Sequence, residues 1–354
     1  MINRCLIEQF QKRELYVYFI ILFLVAALRA NTVGGDLENY IPHFQEVSQT
    51  DFQYLFDLRK SNYEVGYTIL IKLITLILGS ERSFFVVTSF ISLLGVFVLI
   101  KNYSKIPFLS ILLYVAFGFY TNTFNNVRQA LAISFICLSF KYLVEKEFWK
   151  YLSFVLVASL FHISAIFCLC LYPLISIRLD TKKFLLFTIA GIITFFTLGL
   201  WLFNYFRNNI FIQYASDIQS EALRAGEGYS LLTMYFVITL FAFIVENKYS
   251  NNFDNRTKVI MNILLIQLMM ATFVQFFATQ MATFTRMSQY FFLNMIILIP
   301  NIISFSIKLG KSRLIAMLII TMLAFVYMGL IVFAYSQSTH SNSQGVLPYV
   351  FLNN

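Results

Sequence analysis

Charge is what this chain lacks most. Only 12% of its 354 residues are Asp, Glu, Lys or Arg, against about a quarter in an ordinary soluble domain. A soluble fold of this length has far more surface than so few charges can cover. Proline and glycine are sparse as well, at 5 and 13, which excludes fibrous and low-complexity classes. Of the 4 cysteines, Cys137, Cys168 and Cys170 lie in apolar runs and Cys5 lies near the start. Cys168 and Cys170 are two apart and so point to different faces of a helix. This gives no disulfide framework and no metal-ligand spacing, and the thiols read as small buried hydrophobes. There is no P-loop and no dinucleotide fingerprint, so no cofactor is expected.

What the chain has is apolar bulk: 59% of residues are hydrophobic, with 41 Phe and 21 Tyr. The net charge of +9 raises the question of nucleic acid. The Lys and Arg residues form no stripe, however. They sit in short clusters between apolar runs, as membrane topology requires, and a nucleic-acid partner is set aside.

A membrane helix needs about 20 mostly apolar residues. Runs of that kind lie at roughly 15–29, 64–79, 83–100, 107–122, 128–144, 151–177, 184–203, 230–246, 259–279, 284–304 and 314–335. Backbone in lipid must satisfy its own hydrogen bonds, so these runs are expected to be helices. The fold class is therefore all-α: a polytopic transmembrane helical bundle of about 10–12 membrane helices, forming one integral membrane domain over 1–354. The first run follows Lys12 and Arg13, and Leu28-Arg29-Ala30 is a poor signal cleavage site. It is expected to remain as the first membrane helix.

Basic clusters at Arg4/Lys12/Arg13, Lys101/Lys105, Lys141/Lys146/Lys150, Arg178/Lys182/Lys183, Lys248/Arg256/Lys258 and Lys308/Lys311/Arg313 are placed in the cytoplasm. The N-terminus then lies inside, while the long polar loops 30–63 and 204–229 and the C-terminal tail fall outside. Counting crossings exposes two irregular runs. The run 64–79 is short and holds Lys72, which marks it as re-entrant or interfacial; the run 151–177 is expected to turn near His162.

Ionisable groups at the edge of lipid are costly and face a cavity or a partner. Arg128 follows Asn125-Asn126-Val127 and precedes Gln129 at a helix start. Asn125 or Asn126 is placed to cap that helix, whose free N–H groups favour an anion, and the arginine fork suits phosphate oxygens. Arg286 shares a helix face with Gln289 and Tyr290. For both arginines the alternative is snorkelling to lipid headgroups. His162 is the only histidine inside an apolar run; it is either a structural histidine or a base or phosphate contact. The first outer loop adds Arg29, Gly34-Gly35-Asp36, Tyr40 and Glu64. Asp36 and Tyr40 align if a helix starts there, and Asp36 then serves as a base, a sugar ligand or a helix cap. By the crossing count, Arg29, Asp36, Glu64, Arg128, His162 and Arg286 fall on one side of the membrane. Several arginines, a few carboxylates and one histidine suit an anionic lipid-linked substrate, and the spacing does not suit a metal.

These pieces, in this order, resemble the EpsG-type, Wzy-like family of bacterial polysaccharide polymerases. The matching residues are Leu28-Arg29, Gly35-Asp36 and Tyr40, Glu64-Val65-Gly66-Tyr67, Val127-Arg128-Gln129-Ala130-Leu131-Ala132, Lys141-Tyr142-Leu143, Ala158 to Ala165, and Arg286 to Tyr290. Where the family commonly has Gly-Thr-Asp, this chain has Gly34-Gly35-Asp36. The resemblance implies a GT-C-like architecture. It also implies a metal-independent glycosyltransferase of the cytoplasmic membrane that polymerises oligosaccharide repeat units carried on undecaprenyl pyrophosphate at the outer face. The product is O-antigen, capsule or exopolysaccharide. The implied partners are the lipid-linked oligosaccharide, membrane lipid and a chain-length regulator. Under that reading His162, Asp36 and Glu64 are the catalytic candidates, Arg128, Arg286 and Arg29 bind pyrophosphate, and Gln129, Asn125, Tyr290 and Tyr40 support them. The competing readings are a lipid-linked oligosaccharide flippase or transporter, and an O-antigen ligase.

Overall fold

The computed structural model describes residues 2–55, 63–194, 196–197, 225–250, 253–279, 283–306 and 349–351. The second long polar segment up to residue 224, the basic cluster at Lys308/Lys311/Arg313 and the last apolar run at 314–335 lie outside those residues. The protein is an all-α, multi-pass membrane helical bundle. Five described stretches are long and apolar enough to cross a bilayer: Glu81–Tyr103, Val127–Val144, Gly228–Lys248, Asn255–Ala278 and Phe284–Phe305. A sixth is the pair α5 (Pro107–Ala116) and α6 (Phe119–Asn125) if it counts as one span, bent by 50°. Gly118, at φ +76°, supplies the left-handed residue at that break, a conformation that costs other residues a Cβ clash.

The chain divides into two compact units. The first holds the described residues of Met1–Tyr142, Glu147–Ile166 and Ser306–Asn354. It opens with α1 (Ile2–Ala27), α2 (Leu37–Gln49) and α3 (Val65–Ile77). It continues with α4 (Glu81–Tyr103), α5, α6, α7 (Val127–Val144) as far as Tyr142, and α8 (Phe148–Phe161). Helix α4 starts where Ser80 accepts from the Ser83 amide, with Glu81 in its first turn and Lys101 in its last; both charges complement the helix dipole. It lies close against α7 because Gly95 has no side chain: a Cβ there would collide with the Ser134 carbonyl oxygen. Small residues let membrane helices approach in this way. Against α1, α4 packs an aromatic ladder, with Phe19 and Phe97 ring centroids 4.8 Å apart.

The described part of the first polar loop is largely helical. Leu37, Tyr40, Phe44 and Val47 recur at helical spacing and are all buried, so α2 folds by laying one apolar stripe on the core. Asp36 stands at its N-cap position without a side-chain capping bond. The run 64–79 forms α3, whose 13 residues rise only about 20 Å against a hydrocarbon core of about 30 Å. Its Lys72 is buried, and its ammonium donates to the Val47, Ser48 and Thr50 carbonyls at 3.2, 3.3 and 2.6 Å. The lysine thus serves as the C-terminal cap of α2, a cation on free carbonyls at the negative end of the dipole.

The second unit holds the described residues of Leu143–Lys146 and Phe167–Phe305. It contains α9 (Leu171–Leu174), α10 (Thr181–Thr194), α11 (Ala225–Tyr249), α12 (Asn255–Ala278), α13 (Thr283–Phe292) and, as far as Phe305, α14 (Met295–Ser306). Asp254 caps α12 by accepting from the Thr257 amide. Hydroxyl and amide pairs satisfy one another between its helices, as Thr239 with Thr272 at 3.0 Å and Ser288 with Gln275 at 2.9 Å.

Candidate active site

Three helix ends of the first unit meet at one carboxylate. Glu64 is the N-cap residue of α3, but its side chain makes no capping bond, which leaves both oxygens for other partners. Arg128 is the second residue of α7. His162 is the C-cap of α8, in extended backbone at φ −156° and ψ 113°, and a 3-10 helix, Ile163–Cys170, follows it. The run 151–177 therefore breaks at His162, as expected. Ending the helix there also exposes the Ile163 amide, which donates to Glu64 Oε1 at 3.3 Å.

The Arg128 guanidinium pairs with Glu64 Oε2. The other oxygen, Oε1, takes a 2.9 Å hydrogen bond from His162 Nδ1. The three side chains are 16, 23 and 20% exposed for Glu64, Arg128 and His162, so the cluster is shielded yet open to a reactant. Burial by itself pushes the Glu64 carboxyl up, but the His162 hydrogen bond and the Arg128 charge outweigh it and hold the group below the usual carboxylate range. An ionised Glu64 can only accept, so Nδ1 carries the proton of that bond and Nε2 is the ring nitrogen left to face a reactant. Among the described residues that nitrogen has no hydrogen-bond partner.

The approach of α3 to α8 sets this geometry. A Cβ at Gly66 would lie 2.6 Å from the Leu160 Cβ and 2.7 Å from its carbonyl oxygen. Gly66 is two residues after Glu64, and Leu160 two before His162. Glycine at this crossing brings the carboxylate within reach of the imidazole.

Behind the cluster lies an aromatic layer from α2 and the start of α3. The Tyr40 hydroxyl is hydrogen-bonded to Arg128. The Arg128 guanidinium carbon sits 4.8 Å from the Tyr63 ring centroid, and the His43 ring stacks on Tyr63 at 3.9 Å. Asp36 couples electrostatically to Tyr40 and Tyr63. Sequence reasoning passed over Tyr63 and His43. The available signals were the adjacency of Tyr63 to Glu64 and the place of His43 beside Tyr40 on α2, one turn along.

The other expected residues lie as follows. Asn126 holds the N-cap position of α7, its carbonyl accepting from Ala130 and its side-chain amide donating to Asn122. Asn125 is buried, and its side-chain oxygen accepts from the Gly35 amide, tying the loop before α2 to the end of α6. Gln129 is buried next to Arg128 in sequence. Arg29 is 1% exposed and sandwiched between the Phe85 and Phe124 rings at 4.8 and 4.7 Å. It donates to the Ala26 carbonyl and to Ser89, while Arg82 donates to the Ala27 and Arg29 carbonyls. Both arginines thus engage the C-terminal carbonyls of α1. Strand-like pairing of Arg29 with Phe351 joins the same place. In the second unit Arg286 is exposed on α13 and Tyr290 is buried on the same helix. Among the described residues no three His, Cys, Asp or Glu side chains gather as a metal site.

Fold and site together define a multi-pass membrane protein with an Arg–Glu–His cluster gathered from three helix ends. The EpsG family model matches residues 14–351, nearly the whole chain. The protein belongs to the EpsG family, a Wzy-like family of polysaccharide polymerases. No curated protein and no solved structure matches the chain.

Proposed function

We propose that this protein polymerises a bacterial polysaccharide by transferring undecaprenyl-pyrophosphate-linked oligosaccharide onto an acceptor repeat unit. We place the reaction at the outer face of the cytoplasmic membrane, with the N-terminus inside and the C-terminus outside. The observation that carries the reading is the Glu64 carboxylate shared by Arg128 and His162. The acceptor hydroxyl oxygen bonds to the anomeric carbon of the donor glycan as the bond from that carbon to the pyrophosphate oxygen breaks. Undecaprenyl pyrophosphate leaves with the electron pair, and the hydroxyl proton passes to His162 Nε2. Glu64 is the weaker choice of base: its oxygens already accept from three donors, and a carboxylate so stabilised has little affinity for a proton. Its role is to orient His162 and to stabilise the imidazolium that forms.

Arg128 stands at the start of α7, so its charge adds to the positive end of the helix dipole. Together they offset the charge building on the departing pyrophosphate. A pyrophosphate-binding role is also proposed for Arg286, which is exposed on α13. Asp36 is assigned to the acceptor side of the site, Tyr40 supports Arg128 through their hydrogen bond, and a chain-length regulator is the protein partner of this reading.

The test is a glycan ladder in a strain deleted for the gene and complemented with wild type, Glu64→Gln, Arg128→Ala, His162→Ala or Arg286→Ala at matched membrane levels. Polymerase activity predicts single repeat units in the deletion, a full ladder with wild type and single units with the variants. Repeat units held on the carrier inside the cell would instead identify a flippase. A deletion that loses only the attachment of finished polymer would identify a ligase.

A further inference from the structure

The polymerase reading leaves Tyr63 without a task, although it touches the residue on which that reading leans. Arg128 is gripped at its edge by Glu64 and Tyr40, while its guanidinium carbon lies over the Tyr63 ring at 4.8 Å. Tyr63 is in turn fixed from α2. Its hydroxyl donates to the Asn39 carbonyl at 2.9 Å, and the His43 ring stacks on it 3.9 Å away at 17°. Tyr40 and Tyr67 complete the layer, with centroids 6.1 and 5.7 Å from Tyr63.

An arginine has many rotamers, and fixing it costs conformational entropy. The edge contacts of Arg128 are the ones a phosphate competes for, because they use the same N–H donors. A ring beneath the guanidinium uses the π face instead and is compatible with phosphate at the edge. We propose that Tyr63 is a positioning residue: its ring, backed by His43, holds the plane of the Arg128 guanidinium while the edge donors pass from Glu64 to the leaving pyrophosphate. This rests on the polymerase reading and adds to it the surface on which the arginine turns.

The experiment measures elongation of undecaprenyl-pyrophosphate-linked repeat units, extracted from the deletion strain, by full-length wild-type and variant protein in detergent. Tyr63→Phe and Tyr63→Trp keep a ring and are expected to stay within about threefold of the wild-type kcat. Tyr63→Leu keeps bulk without a π face and is expected to lose about tenfold or more in kcat with a smaller change in KM, because the contact serves charge that develops in the transition state. Tyr63→Met is the second non-aromatic variant should the leucine protein fail to accumulate. Active wild type with Tyr63→Leu or Tyr63→Met at full rate overturns the inference alone. So does a Tyr63→Phe protein as impaired as the leucine variant, which would assign the effect to the hydroxyl. Wild-type protein that does not elongate the repeat units overturns the polymerase reading and, with it, this role for Tyr63.

Discussion

Adding one methyl group at Gly66 tests the link between helix packing and the site. The new Cβ would meet the Leu160 Cβ at 2.6 Å and the Leu160 carbonyl oxygen at 2.7 Å, where ordinary contact begins at 3.4 Å. Neither atom is the flexible end of a side chain, so the two helices must separate by about 1 Å. The 2.9 Å bond from His162 to Glu64 spans this same crossing. A shift of that size carries it past the roughly 3.5 Å at which a hydrogen bond ceases to count. Overpacking of this kind costs about 1–3 kcal/mol of stability, which a bundle of this size tolerates. Gly66→Ala is therefore expected to reach the membrane with a lowered melting temperature and to leave single repeat units in the glycan ladder. Gly191→Ala is the control: there the nearest atom is a Phe273 ring carbon at 3.0 Å, a side chain that can turn aside, and a full ladder is expected. A Gly66→Ala strain with a full ladder at wild-type protein level would refute the argument that this crossing sets the distance between carboxylate and imidazole.

Lys72→Met removes the cation that binds three carbonyls at the end of α2. Hydrogen bonds to a charged group contribute about 1.5–3 kcal/mol, and a melt in detergent should show a drop of several degrees; an unchanged melt would refute the capping role. Glu64 has its carboxyl held below the ordinary value of 4.5. Its contribution is fully present above that value and lost as pH falls through the lower folded one, so acid unfolding of wild type should contain a component that Glu64→Gln lacks. Burial holds His43 below its ordinary 6.5, so the unfolded chain binds that proton first. Stability should fall as pH drops below about 6.5, and His43→Phe should flatten the curve in that window in a pH series of melts.

The membrane class, the all-α fold and most helix positions were legible in the sequence, because hydropathy is a property each residue carries with it. Glu81–Tyr103 and Asn255–Ala278 need no partner to announce themselves as spans. The break at His162 and the short reach of α3 were legible for the same reason, from run length and one lysine. Arg128, Glu64 and His162 were each visible as costly groups at helix ends. Their partnership was not: they are 64 and 98 positions apart along the chain, and local pattern says nothing about contacts over that separation.

Arg29 shows the other side of this limit. In sequence it reads as one more arginine at the membrane edge, but the tertiary structure buries it between two phenylalanines, on the carbonyls of its own helix. Tyr63 became relevant only when α2 brought His43 against one side of it and α7 brought Arg128 within 4.8 Å. The sequence by itself determined which residues must leave lipid and which must form helices, since those are free energies of single segments. Only the tertiary structure decided which helix ends meet, because that depends on side-chain volume at the crossings, where a glycine at 66 facing a leucine at 160 brings two distant segments together.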